Sequence, residues 1–137
     1  MKRMMGGLAA WVLAAGVAVA AESPGVQVQT LMESSASWDG RAYEAYPPGP
    51  PLLTVLRITI PPHSALPWHT HPIPNAAYVL SGELTVEKQG TGETRWLKQG
   101  DVLPEIVGEY HRGVTGDQGV VLIVFYAGSR GVPLSQQ

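Results

Sequence analysis

The 137-residue chain has no cysteine. That excludes disulfides and a lipid-modified cysteine anchor. Basic charge is also short: nine lysines and arginines stand against eleven aspartates and glutamates. Nucleic acid and anionic membrane surfaces select basic patches, so neither is expected as a partner. From residue 25 onward no window carries a helical hydrophobic period. The apolar run near the start, Leu8 to Ala20, is short for a membrane span, which needs about 20 residues.

That first run has another reading. Lys2 and Arg3 precede it, and it ends in Ala18-Val19-Ala20-Ala21. A positive head, an apolar middle and small residues at the end make a secretory signal. The sequence therefore predicts a signal peptide over residues 1–21, cut after Ala20 or Ala21, with an uncleaved anchor as the alternative. The mature protein would be periplasmic or secreted, with no stable membrane insertion. Without Lys2 and Arg3, seven basic residues face eleven acidic ones, a net charge near −4. About 115 residues remain, enough for one apolar core, and an exported domain without disulfides must rest on that core.

The mature part reads as β. Val26 to Leu31 alternates polar and apolar residues, and Leu52 to Ile60 is β-branched and apolar up to Pro61-Pro62. Ala76 to Leu80 and Glu83 to Glu87 flank Ser81-Gly82, a hairpin signal. Further turns are expected at Gln89-Gly90-Thr91-Gly92 and Gln99-Gly100-Asp101, around a strand at Thr94 to Lys98. Val120 to Tyr126 is a continuous apolar strand, expected to be buried on both faces. Short strands with close turns predict a sandwich or barrel. The organisation read from this is a signal over 1–21, N-terminal strands and a Pro-rich connector over 22–51, a barrel core over 52–127 and a C-terminal tail over 128–137.

Of four histidines, at 63, 69, 71 and 111, two form the His69-Thr70-His71 pair. Side chains alternate along a strand, so an H-x-H pair puts both imidazoles on one face. A third histidine from a partner strand would complete a metal pocket, since imidazole is the commonest transition-metal ligand side chain. The competing reading is three hydrogen-bonded core histidines with no metal.

The spacing around these residues is specific. Pro61-Pro62, His69, His71, Asn75 and Gly82 resemble the first cupin motif, G-x5-H-x-H-x3,4-E-x6-G. Gly100, Gly108, His111 and Thr115 resemble the second, G-x5-P-x-G-x2-H-x3-N. The resemblance covers roughly residues 50 to 127. It implies an all-β, antiparallel jelly-roll barrel holding one divalent metal near its middle, with His69, His71 and His111 as ligands. The chain departs from the pattern at four places. Asn75 stands at the glutamate ligand position, His63 at the leading glycine, Ile106 at the proline and Thr115 at the final asparagine. Asn75 is carried as a further metal-site residue, a neutral and weaker oxygen donor. Three neutral imidazoles favour a transition metal (Fe, Ni, Cu, Zn or Mn) over the hard cations Mg and Ca.

Other residues admit two readings each. His63 reads as a turn residue, because histidine tolerates the left-handed region better than most; a fourth-ligand role is the alternative. Glu105, Glu109 and Tyr110 precede His111, so one of them could orient a ligand or act as acid or base, while solvated glutamates are the ordinary case. Gly108 prevents a parity reading of that segment. Trp68 and Tyr110 neighbour ligands and so are expected to face away from the metal. Ala77 and Val79 share parity with Asn75 and are expected to line the pocket. Phe125 and Tyr126 are expected to pack, and Arg57 to point outward. The functional expectation is a metal-dependent enzyme, dioxygenase-like, acting on a small oxygen-rich molecule. The alternatives are a non-catalytic small-ligand or metal binding and sensing protein, and a structural domain. A homodimer paired through strands is also expected.

Overall fold

The structure is a computed structural model and describes residues 25–137. The signal peptide expected over residues 1–21 lies outside the described residues. No helix among them is long and apolar enough to cross a membrane. Six strands make up the fold: β1 (Pro51–Ile60), β2 (Asn75–Lys88), β3 (Thr94–Lys98), β4 (Val102–Pro104), β5 (His111–Val114) and β6 (Val120–Ser129). Every strand pair is antiparallel, as the jelly-roll expectation requires.

β2 organises the rest. Its first half lies between β6 and β4, and its second half between β3 and β5. One long strand thus passes from one sheet into the other. The hairpin expected at Ser81-Gly82 is not formed. The chain bends there without reversing, with a register shift against β6 between Val79 and Ser81. Gly82 takes φ 81°, and a Cβ on it would lie 1.9 Å from the Gly119 carbonyl oxygen. A glycine in the left-handed region, inside a bulge, re-aims a strand as readily as it closes a turn.

The core follows the alternation of the strands. Asn75, Ala77 and Val79 of β2 point inward, as do Val120, Leu122, Val124 and Tyr126 of β6. The expectation that β6 is buried on both faces is therefore corrected. Its other face carries Val121, Ile123 and Phe125, and Phe125 is 41% exposed. The core covers this strand fully on one face only, so the apolar run reflects more than core burial. β1 pairs with β6 alone, and Leu53 and Val55 on it are well exposed. Arg57, opposite Ile123 in the ladder, points outward as expected.

Val26 to Leu31 does not form the expected strand. It has no regular secondary structure, is exposed, and pairs with no strand among the described residues. The following segment is anchored. Trp38 N–H donates to the Pro104 carbonyl at 2.9 Å, and Lys88 Nζ meets Asp39 Oδ2 at 2.7 Å in a nearly dry setting. Burial alone would raise the Asp39 carboxyl, but hydrogen bonds from Lys88 and Ser37 lower it to about 2.

Candidate metal centre

His69 and His111 sit directly opposite each other. Each donates its backbone N–H to the other's carbonyl at 3.0 Å. Residues in such a pair project to the same face. His71, two residues along, joins them. It is held on the other side of the chain by a bridge to Val107, while Thr70 between them bridges Gln136 of the C-terminal tail. The ring centroids are 4.9 Å apart for His69 and His71, 4.7 Å for His69 and His111, and 5.0 Å for His71 and His111. One nitrogen from each ring lies within 4.8 Å of those of the other two.

The hydrogen bonds decide the protonation of the rings. His69 Nδ1 meets the Pro67 carbonyl at 2.9 Å, His71 Nδ1 the Leu134 carbonyl at 2.7 Å, and His111 Nδ1 the Glu109 carbonyl at 2.8 Å. A carbonyl only accepts, so each Nδ1 must be the protonated nitrogen. In the neutral rings the lone pair is then on Nε2. His111 Nε2 is buried with no hydrogen-bond partner among the described residues. Three clustered imidazoles with Nδ1 protonated and Nε2 free, His71 and His111 buried and His69 half-buried, fit a divalent transition metal.

Three further groups face this cluster. Tyr126 stacks edge-on to His71 at 5.7 Å. Asn75 lies opposite Tyr126 in the β2–β6 ladder. Its Nδ2 donates to the Ile73 carbonyl at 3.2 Å, and its Oδ1 is buried without a partner. Glu105 donates its N–H to the Asn75 carbonyl at 3.0 Å. Its carboxylate is 3.4 Å from His111 Nε2, with 12% side-chain exposure. Burial pushes the His71 imidazole down, which favours the neutral ligand form. Burial acts on His111 and Glu105 too, but their mutual attraction overrides it: His111 is held above the usual imidazole value and Glu105 below the usual carboxylate value. At 3.4 Å the contact is long for a hydrogen bond, so the direction rests on charge proximity. Burial and the Glu105 charge push the Tyr126 hydroxyl up to about 12.

The other sequence-derived candidates sort themselves. His63 has φ 53°, is exposed, and stands 3.5 Å from Asp117, outside the cluster. Trp68 faces away and stacks under the Arg112 guanidinium at 4.4 Å; Tyr110 is exposed. Glu109 pairs with Arg41 at 2.6 Å, away from the rings. Ala77 and Val79 are buried in line with Asn75. Thr115, in place of the motif's asparagine, ties the turn after β1: its hydroxyl donates to the Pro61 carbonyl at 2.7 Å and accepts from Ser64 N–H at 3.0 Å. Sequence reasoning missed the Leu134 carbonyl, which orients His71, and Tyr43, whose hydroxyl donates to the Glu105 carbonyl at 2.7 Å. A backbone acceptor carries no residue signature, and Tyr43 lies 62 residues from its partner. A surface cleft of about 510 Å³ runs along Tyr43, Tyr46, Pro74 and Phe125 and includes none of the three metal-site histidines.

No curated protein matches the chain in sequence. Solved structures do match in shape. DMSP lyase DddQ from Ruegeria pomeroyi is 24% identical with a TM-score of 0.55, over 61% of this chain and 42% of that one. The polyketide cyclase RemF from Streptomyces resistomycificus is 23% identical with a TM-score of 0.54, over 62% and 59%. A cupin-like protein from Thermotoga maritima is 19% identical with a TM-score of 0.53, over 61% and 62%. The matched parts thus span less than two thirds of each of these proteins, and the likeness is one of fold. The sequence model of the cupin domain matches residues 56–126, a stretch that contains all three clustered histidines, Asn75 and Glu105, and on that match the chain belongs to the cupin domain family.

Proposed function

We propose that this cupin holds one divalent transition metal ion on His69, His71 and His111 and is a metal-dependent enzyme, dioxygenase-like, acting on a small oxygen-rich molecule. The observation that carries the metal is the tautomer lock: three Nδ1 protons committed to backbone carbonyls leave three Nε2 lone pairs for one ion. Fe, Ni, Cu, Zn and Mn all suit such a donor set. Asn75 offers its unpartnered Oδ1 to the same interior as a neutral oxygen donor. An ion held there by His69, His71 and His111 would supply a Lewis-acidic centre for oxygen ligands such as diketones, hydroxyacids or catechols.

The enzyme reading is favoured over a binding or sensing protein by Glu105. A nearly buried carboxylate beside the histidines adds charge that would tune an ion held there, and such perturbed charged groups gather at reactive sites. Solved proteins of this fold include a lyase, a cyclase and an oxalate decarboxylase, so fold alone does not choose the reaction. The apolar, exposed face of β1 supports pairing of two copies through that strand, and the signal-like sequence from Lys2 to Ala21 supports a periplasmic or secreted setting.

The test is elemental analysis of protein purified from its native compartment, followed by dioxygen-uptake assays across metals and oxygen-rich substrates. About one metal per chain is expected, with uptake only when metal and substrate are both present, and none in His111→Ala. Substrate binding that perturbs the metal's spectrum without any turnover would move the assignment to a binding or sensing cupin. Asn75→Glu should tighten metal binding and shift preference toward Mn, since it adds an anionic oxygen. If Asn75→Ala removes metal as fully as loss of a histidine, Asn75 is a principal ligand.

A further inference from the structure

We propose that Glu105 is the anionic ligand of this metal centre, supplied from the strand beside β2 in place of the carboxylate that position 75 lacks. The inference rests on the three-histidine metal reading above.

The ladder places it. Ala76 pairs with Pro104 and Ala77 with Leu103. Continuing that register by one residue sets Glu105 opposite Asn75, and the Glu105 N–H to Asn75 carbonyl bond of 3.0 Å is the contact such a pair makes. Residues directly opposite in an antiparallel pair project to the same face. Asn75 faces the interior, so Glu105 delivers its carboxylate to the interior too. A glutamate one strand sideways reaches the face that a glutamate at 75 would have reached.

The distance agrees. Glu105 Oε2 and His111 Nε2 are 3.4 Å apart. That is long for a charge-assisted hydrogen bond, which is about 2.7–2.9 Å. Two atoms each about 2.0–2.1 Å from one metal stand at most roughly 4.2 Å apart, and this pair lies within that limit. His111 Nε2 is otherwise unpartnered, and His111 is the one ionic partner of Glu105 among the described residues. A nearly buried carboxylate needs a cation, and two charges are better matched by three neutral imidazoles plus one carboxylate than by imidazoles alone. The backbone at Glu105 is held from both sides, by the Asn75 carbonyl and by the Tyr43 hydroxyl at 2.7 Å.

The test titrates the full chain with Zn and Co, with affinity read by chelator competition and geometry by the visible Co spectrum. Glu105→Gln keeps the volume, and Glu105→Ala opens room for a small carboxylate. Both should weaken binding by roughly tenfold or more and alter the Co bands. Added acetate should restore part of the wild-type spectrum in Glu105→Ala. Unchanged or tighter binding with an unchanged spectrum in both variants would overturn the assignment, because a carboxylate that only pairs with protonated His111 competes with the metal. If His71→Ala loses metal while both Glu105 variants keep it, the Glu105 assignment alone falls. If the wild-type chain takes up neither metal, the three-histidine reading falls with it.

Discussion

The C-terminal tail should govern metal affinity, although it carries no ligand. His71 Nδ1 donates to the Leu134 carbonyl at 2.7 Å, and the tail is held by two backbone hydrogen bonds between Thr70 and Gln136, at 2.8 and 2.9 Å. Ending the chain after Val132 removes all three bonds. His71 then loses the acceptor that fixes its tautomer and ring orientation. Loss of such a supporting bond costs about 10–100-fold in metal affinity, or roughly 1.4–2.8 kcal/mol at about 1.4 kcal/mol per tenfold. Leu134 also packs against the core while only partly buried, so the metal-free protein should lose about 1–2 kcal/mol of stability as well. Zinc affinity measured by chelator competition, alongside urea unfolding without metal, separates the two losses. A shortened chain that stays folded and binds zinc as tightly as the full chain would refute the argument that this carbonyl orients His71.

Three other outcomes follow from the structure. Asp39 is held at about 2 against an ordinary 3.8 by Lys88 and Ser37; a depressed folded pKa gives stability that is complete above about pH 4 and is lost as pH falls through about 2. Asp39→Ala leaves Lys88 only the longer contact to Glu93 at 3.8 Å and should cost about 1–3 kcal/mol in urea unfolding; a loss that is absent at neutral pH would show the pair to be solvated. Gly82→Ala places a methyl 1.9 Å from the Gly119 oxygen at φ 81°, so it should yield little folded protein, and a soluble variant melting at the wild-type temperature would contradict the bend described here. Exported protein should begin at Ala21 or Glu22, and an intact mass that retains Met1 to Ala20 would count against the leader.

The sequence by itself determined the strand character of the chain and the identity of the three histidines. Alternation along a strand is a local property, so H-x-H places two rings on one face wherever the strand packs. His63 reads as a turn residue with a ligand role still open, and only the fold puts it outside the cluster. Other features depended on which strand lies beside which. Ser81-Gly82 looks the same as a turn or as a bulge, and only the path of β2 through both sheets chose the bend. Val120 to Tyr126 is apolar on both faces, and only the single layer over β6 left Phe125 exposed. Glu105 and Glu109 were equivalent in sequence. The register between β2 and β4 sent one toward His111, and Arg41 drew the other to the surface. The Leu134 carbonyl could not be read at all, since every residue has a carbonyl and only the folded tail decides which one meets His71. Candidate ligands are written in side chains, but the orientation and charge of a site come from neighbours that only the strand order brings within hydrogen-bonding distance.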